Sequence, residues 1–237
     1  MGTSLGAKRL LPDDYYAATR SSGTKLMSRG LIASPGYSFL ASSSLLILLG
    51  WLLHWGWLWW PGLVALIFFG YFFRDPERRV PPEPEVVVAP ADGKVILTDE
   101  VQEERYLNGP ARRVAIFMNV FDVHVNRAPA AGTVRVAQHR DGCFKAAFRE
   151  EACTLNEQLA LVLEEGSRRL LVVQIAGLLA RRIVSYVQPG QHLEKGERLG
   201  MICFGSRVDL YLPEQAQLMV KAGDRVKAGS SIVARWT

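Results

Sequence analysis

The chain has 237 residues, with 28 lysines and arginines against 23 aspartates and glutamates, and a formal net charge of +5 at pH 7. This length is enough for a sizeable core, and the positive charge favours an anionic partner, either nucleic acid or an acidic lipid surface. No helix-turn-helix, zinc-finger or base-stacking motif is present, so we expect no nucleic-acid partner. Three cysteines without a Cys-x-x-Cys pair indicate neither a disulfide framework nor a metal site.

The first third of the chain contains a long apolar segment. Residues 1–36 are polar and rich in glycine and serine, which predicts a loosely ordered N-terminal segment. From Tyr37 to Phe73 the chain has no aspartate, glutamate, lysine or arginine. One helix of about 35 residues would measure roughly 50 Å, against a bilayer core of about 30 Å. The segment is therefore predicted to break, near Gly56 or Pro61, into two helices.

The flanks and tryptophans of this segment indicate its environment. Five of the six tryptophans lie in it, and cations precede and follow it, as expected of a membrane hairpin or anchor over 37–73. Cations at both ends predict that both ends lie on the cytoplasmic face of the cell membrane. A buried helical hairpin of a soluble protein is the alternative interpretation.

The rest of the chain has the texture of a β-rich domain. Prolines at 76, 81, 82 and 84 predict a stiff linker over 74–85. Over 86–237, short β-branched runs alternate with glycine, proline and aspartate turns, which predicts many short strands.

Two turns in this domain share one spacing, and they suggest an architecture. Gly190 to Gly196 and Gly223 to Gly229 each read as glycine, two polar residues, one apolar residue, two variable residues and glycine. This is the turn chemistry of barrel-sandwich folds such as the biotinyl and lipoyl carrier domains. We therefore expect a mainly β, barrel-sandwich-like domain preceded by an N-terminal hydrophobic helical hairpin. No lysine lies between Lys195 and Lys221, where a carrier would present one, so a carrier role is not expected.

Candidate site residues lie in two motifs. Asp122, His124 and Asn126 alternate with apolar residues and so share one face of an extended segment. A lone histidine is most often structural, whereas a strand face that carries aspartate, histidine and asparagine suits a site. Asp92, in the Pro-Ala-Asp-Gly turn, is either an ordinary hairpin residue or a carboxylate that orients a histidine. Gly205-Ser206, taken alone, predicts a two-residue hairpin turn.

Five motifs in order and spacing resemble phosphatidylserine decarboxylase of the short, membrane-associated type. They are Pro90–Gly93, Phe121–Pro129, Asn156-Glu157, Gln174–Gly177 and Phe204–Ser206, and Phe73–Pro76 after the apolar segment also matches. The resemblance implies that the Ser206 hydroxyl attacks the Gly205 carbonyl, after which elimination and hydrolysis release ammonia and leave a covalent pyruvoyl group. The products would be a β chain, 1–205, and an α chain, 206–237.

The resemblance also implies roles for the motif residues. His124 would serve as the base, oriented by Asp92, and Ser206 would become the pyruvoyl group. That group would form a Schiff base with phosphatidylserine, an anionic phospholipid, and turnover would release phosphatidylethanolamine. Better-known members carry a second histidine at the position of Arg127, which cannot act as a base. Arg127 is therefore predicted to bind the substrate's carboxylate or phosphate, and Asn126 is a second predicted substrate-binding residue.

Two other functions stay open at this point. A non-catalytic, membrane-anchored barrel-sandwich adaptor would keep the Gly205–Ser206 bond intact. A pyruvoyl decarboxylase for a soluble amino acid is the nearest enzymatic rival, and the apolar segment favours a lipid substrate over it. A homo-oligomer is left open as a further partner.

Overall fold

A computed structural model describes residues 31–142, 156–177, 182–203 and 206–237. Two helices of 17 residues each come first, α1 (Gly36–Leu52) and α2 (Gly56–Phe72), and they pack against each other. The strands follow: β1 (Val86–Val88), β2 (Gly93–Glu103), β3 (Gly109–Met118), β4 (Val125–Arg127), β5 (Gly132–Arg140), β6 (Gln158–Glu165), β7 (Arg168–Ile175), β8 (Ile183–Ser185), β9 (His192–Leu193), β10 (Arg198–Ile202), β11 (Ser206–Pro213), β12 (Gln217–Leu218), β13 (Arg225–Val226) and β14 (Ile232–Arg235). The prediction of a mainly β chain is confirmed.

Three antiparallel sheets form the body. The largest has eight strands in the order β13-β2-β3-β11-β7-β6-β5-β9 and curls around the core. Two three-stranded sheets, β1-β14-β12 and β4-β10-β8, complete it. The predicted repeat is visible here: β13 and β9, which lie in the two repeated turns, occupy the two ends of the eight-stranded order. All four turn glycines, at 190, 196, 223 and 229, have positive φ, which glycine adopts without steric cost.

Strand β11 lies at the centre of the large sheet and is buried on both faces. Val208, Leu210 and Leu212 face the main core, together with alternate residues of β3, β6 and β7. Arg207 and Asp209 point to the opposite face, where they are also buried and paired, with Nη2 2.8 Å from Oδ2. The strand that begins with Ser206 is therefore held from both sides.

The two helices approach closely through glycine. A side chain on Gly62 would meet Ile47 Cγ1 at 2.8 Å, and one on Gly50 would meet the backbone nitrogen of Trp59 at 2.9 Å. The break between the helices falls at residues 53–55, and Pro61 lies inside α2 rather than at its end. Among the described residues, neither helix has the length and hydropathy that crossing a bilayer requires.

The linker after α2 is fixed to the sheets by ion pairs. The carboxylate of Asp75, only 4% exposed, accepts hydrogen bonds from Arg127 Nη2 at 2.8 Å and from Arg198 Nε. Arg127 and Arg198 lie directly opposite each other on β4 and β10. Further along the linker, Arg78 pairs with Asp92 at 2.9 Å. These contacts join the end of the helix pair to the sheet that contains β4 and β10.

Removal of the Asp75 charge should weaken the fold. We expect Asp75→Asn to lower the free energy of unfolding by about 3–5 kcal/mol, because the buried guanidinium group of Arg127 and the 11% exposed side chain of Arg198 lose their shared carboxylate. Urea unfolding measures this change. The matched control is Glu77→Gln: Glu77 lies 3.7 Å from Arg198 but its side chain is 81% exposed, so its loss should cost under about 0.5 kcal/mol. Equal effects of the two substitutions would contradict this role.

Candidate active site

Ser206 opens strand β11 and lies in the interior of the body. It pairs with Met118 of β3, is fully buried, and has no hydrogen-bond partner for its Oγ within the described ranges. A buried hydroxyl without a partner costs stability, so its retention points to a reactive or ligand-binding role. Gly205, the other residue of the predicted cleavage site, lies outside the described residues.

His124 lies immediately before β4 and is also fully buried. Its Nδ1 lies 2.9 Å from the Asp122 carbonyl, and its ring packs on Phe72 with centroids 4.3 Å apart. A carbonyl only accepts, so Nδ1 carries the proton and Nε2 keeps its lone pair. Nε2 has no hydrogen-bond partner within the described parts of the chain. The Ile202 amide donates to the His124 carbonyl at 3.4 Å. Ile202 ends β10 and precedes Ser206 by four residues, so His124 lies beside the end of β10.

Burial keeps this imidazole neutral. Removal from water, with a smaller effect of the positive charge of Arg74, lowers the pKa of His124 to about 4, although the hydrogen bond to Asp122 acts in the opposite direction. The ring is therefore an unprotonated base at neutral pH, with a free lone pair at Nε2.

Asp92, predicted to orient His124, contacts other groups in the structure. Its carboxylate accepts from Arg78 Nη2 at 2.9 Å and from the Ala228 amide at 2.8 Å, rather than from His124. The orienting hydrogen bond of His124 comes from the Asp122 carbonyl instead. Asp92 lies in a tight turn within reach of Arg78, and the two form an ion pair that links this turn to the linker.

Arg127 is also engaged differently from the prediction. Its guanidinium donates to Asp75 Oδ1 at 2.8 Å, to the Pro76 carbonyl at 3.1 Å and to the Gly196 carbonyl at 3.0 Å. The side chain is buried, so the planar fork that could hold a substrate anion holds the linker.

The other predicted substrate-binding residue, Asn126, belongs to a buried amide pair. Its Oδ1 accepts from Gln174 Nε2 at 2.6 Å, and its Nδ2 lies 3.6 Å from Met118 Sδ. Gln174 was not predicted as a site residue, although it is the one polar residue in the apolar run Leu170–Ile175 and so gave a signal. Phe72 was also missed, because the apolar segment offers no pattern that singles it out.

The fold and these side chains define a class: a β-sheet protein whose interior holds a serine hydroxyl and a neutral histidine, with Ser206 Oγ and His124 Nε2 both without hydrogen-bond partners in the described chain. Such a pair is suited to activating serine as a nucleophile. The family model of phosphatidylserine decarboxylase matches residues 65–234. The chain belongs to the phosphatidylserine decarboxylase family.

Curated relatives agree over most of the chain. The phosphatidylserine decarboxylase proenzyme of Symbiobacterium thermophilum is 42% identical over 213 residues, which cover 88% of this chain and 97% of the relative. That of Solibacter usitatus is 47% identical over 175 residues, 74% of this chain and 82% of the relative. That of Desulfotalea psychrophila is 45% identical over 174 residues, 73% and 81% respectively.

The low pKa of His124 predicts how stability depends on pH. An unfolded histidine has a pKa of about 6.5, whereas that of folded His124 is about 4. Between these pH values the unfolded chain binds a proton at His124 and the folded chain does not. The stabilisation from the neutral ring is therefore present above about pH 6.5 and is lost as pH falls from there towards 4. Two proteins are compared by urea unfolding at a series of pH values, Ser206→Ala alone and Ser206→Ala with His124→Gln. Only the protein that keeps His124 should show the loss of unfolding free energy in this pH window. Parallel pH profiles would refute the buried neutral ring.

Proposed function

We propose that this chain decarboxylates phosphatidylserine to phosphatidylethanolamine, using a pyruvoyl group that it makes from Ser206 by self-cleavage at Gly205–Ser206. The observation that carries the proposal is the pair of buried, unpartnered atoms, Ser206 Oγ and His124 Nε2, in a chain of this family. The curated relatives are named proenzymes, which supports maturation by cleavage. They also favour the enzyme over a non-catalytic adaptor.

His124 performs the proton transfers in this proposal. Its Nε2 accepts the proton of the Ser206 hydroxyl, so that the oxygen can attack the Gly205 carbonyl and convert the amide into an ester. Elimination and hydrolysis then separate the β chain, 1–205, from the α chain, 206–237. During turnover, His124 would return a proton to the substrate after Nε2 has taken one up.

The residues around Ser206 fit a pyruvoyl group. Burial of β11 on both faces holds the new chain end in place, and the ketone, which would form at Cα of residue 206 in place of its nitrogen, carries no charge to desolvate. When formed, the pyruvoyl group supplies a carbonyl that takes up the electrons released as carbon dioxide leaves. Asp92 and Arg127 act in this proposal by fixing the linker against the sheets, through Arg78 and Asp75 respectively.

The apolar helix pair is the part proposed to contact lipid. Trp51 and Trp57 are 71% and 69% exposed, and the other tryptophans of the pair are exposed as well. Large exposed apolar surfaces mark interaction sites, and tryptophan suits the lipid–water interface. We therefore propose that residues 37–73 anchor the protein at the cytoplasmic face of the cell membrane, that 74–85 is the linker, and that 86–237 is the barrel-sandwich-like catalytic domain.

Self-cleavage is tested by the mass of the purified protein. We expect the wild type to separate into two chains on a denaturing gel, with an α chain whose mass fits an N-terminal pyruvoyl group. Ser206→Ala should stay whole, because it has no hydroxyl to attack, and His124→Gln should cleave about 10²–10⁴ times more slowly. A folded wild type that stays whole and carries an ordinary serine would refute the proposal.

Lipid contact is tested by flotation with vesicles that contain phosphatidylserine. The double substitution Trp51→Ser/Trp57→Ser should lower the affinity at least about tenfold, because two large apolar side chains no longer leave water. Trp236→Ser is the control, since Trp236 belongs to β-domain packing under the Arg168 guanidinium. If both variants float like the wild type, the helix pair is not the lipid contact.

A further inference from the structure

Gln174 carries a buried acceptor that nothing in the described chain satisfies. The residue is fully buried, and its Oε1 has no hydrogen-bond partner among the described residues. Its Nε2 donates to Asn126 Oδ1, and Asn126 Nδ2 is directed to Met118 Sδ. Each amide has one donor end and one acceptor end, so this chain of contacts leaves Gln174 Oε1 as the open end.

Strand register places this open end beside Ser206. Strand β11 lies between β3 and β7, with Ser206 opposite Met118 and Val208 opposite Gln174. Ser206 and Gln174 are therefore diagonal neighbours on one face of the sheet, within reach for a side chain as long as glutamine. The contacts from Gln174 through Asn126 to Met118 run from β7 to β3, and so they pass over the start of β11.

Packing fixes the amide in this position. A Cβ on Gly200 of β10 would lie 3.4 Å from both Nε2 and Oε1 of Gln174, so the amide fills the space that this glycine leaves. Asn126, which pairs with Gly200 across β4 and β10, holds Nε2. A buried amide that only joined two sheets would be expected to use both of its ends. The unused oxygen therefore indicates a ligand.

The chemistry of the substrate head group indicates which of its atoms could bind Gln174 Oε1. The carboxylate and the phosphodiester of phosphatidylserine only accept hydrogen bonds at neutral pH, whereas its amine donates. We propose that Gln174, held by Asn126, binds the amino group of the serine head group through Oε1 and orients it towards the group formed from Ser206. This inference rests on the proposed function and adds a residue that recognises the substrate amine.

The experiment measures amine capture per reactive chain. One aliquot of the purified, self-cleaved protein is titrated with a hydrazine reagent, which counts the ketone-bearing α chains by mass. A second, untreated aliquot receives glycerophosphoserine with cyanoborohydride, which reduces the amine–ketone adduct to a stable secondary amine that mass spectrometry follows with time. Gln174→Met removes the acceptor at nearly constant shape, Gln174→Glu keeps an acceptor oxygen, and Gln217→Met removes an exposed glutamine of β12 as the matched control.

We expect Gln174→Met to trap glycerophosphoserine about ten- to a hundredfold more slowly per ketone than the wild type, since a hydrogen bond to a charged amine is lost. Gln174→Glu should stay within a few fold of the wild type, and Gln217→Met should equal it. Trapping by Gln174→Met at the wild-type rate would overturn the inference, as would equal losses in Gln174→Met and Gln174→Glu, which would mean a packing role. A wild type without titratable ketone would instead refute the proposed function itself.

Discussion

One carboxylate, that of Asp75, joins the parts of the chain that build the site. Arg127 and Arg198 lie directly opposite each other in the β4–β10 pair, where like charges repel. Asp75 accepts a hydrogen bond from each of them and is itself buried, so little water screens the attraction. Without this carboxylate, a buried cation and a partly buried one would face each other across the strand pair. Asp75 also follows α2 by three residues, so the same contact sets where the helix pair ends relative to the sheets.

The strands that Asp75 ties together, β4 and β10, adjoin the two side chains proposed to react, and both of these are fully buried. His124 precedes β4, β10 ends four residues before Ser206, and β11 is buried on both faces. Burial removes charge from the imidazole, and the Asp122 carbonyl orients the ring without adding a negative charge beside it. A carboxylate in that place would stabilise the imidazolium and raise the pKa of His124. The fold therefore produces a neutral base chiefly by excluding water.

Much of this arrangement could be predicted from the sequence, and the remainder shows what sequence cannot supply. Alternation in residues 121–129 placed His124 and Asn126 on one face, because local pattern fixes which residues share a face. Ser206 was indicated only by the family resemblance, since Gly-Ser alone predicts a hairpin turn. The ion pairs of Asp92 and Arg127 could not be predicted from the sequence, since an ion pair forms with whichever opposite charge the tertiary fold brings closest. For both residues that charge comes from the linker, Arg78 and Asp75. Gln174 could be identified as a site residue only from the strand register, because the pairing of β11 with β7 shows that it neighbours Ser206.

Helix α2 joins the exposed apolar surface to the chemistry. The exposed Trp57 lies in its first turn, and it ends with Phe72, which is fully buried against the ring of His124. At that end, Tyr71 Oη and Arg74 Nη2 both donate to the carbonyl of Phe121, at 3.3 and 2.7 Å, in the loop that leads to His124. A displacement of α2 would remove Phe72 from the imidazole and admit water, which would return the pKa of His124 towards its ordinary value. The docked position of α2 therefore keeps His124 neutral. The helix that carries the surface proposed to contact lipid also packs directly on the proposed base.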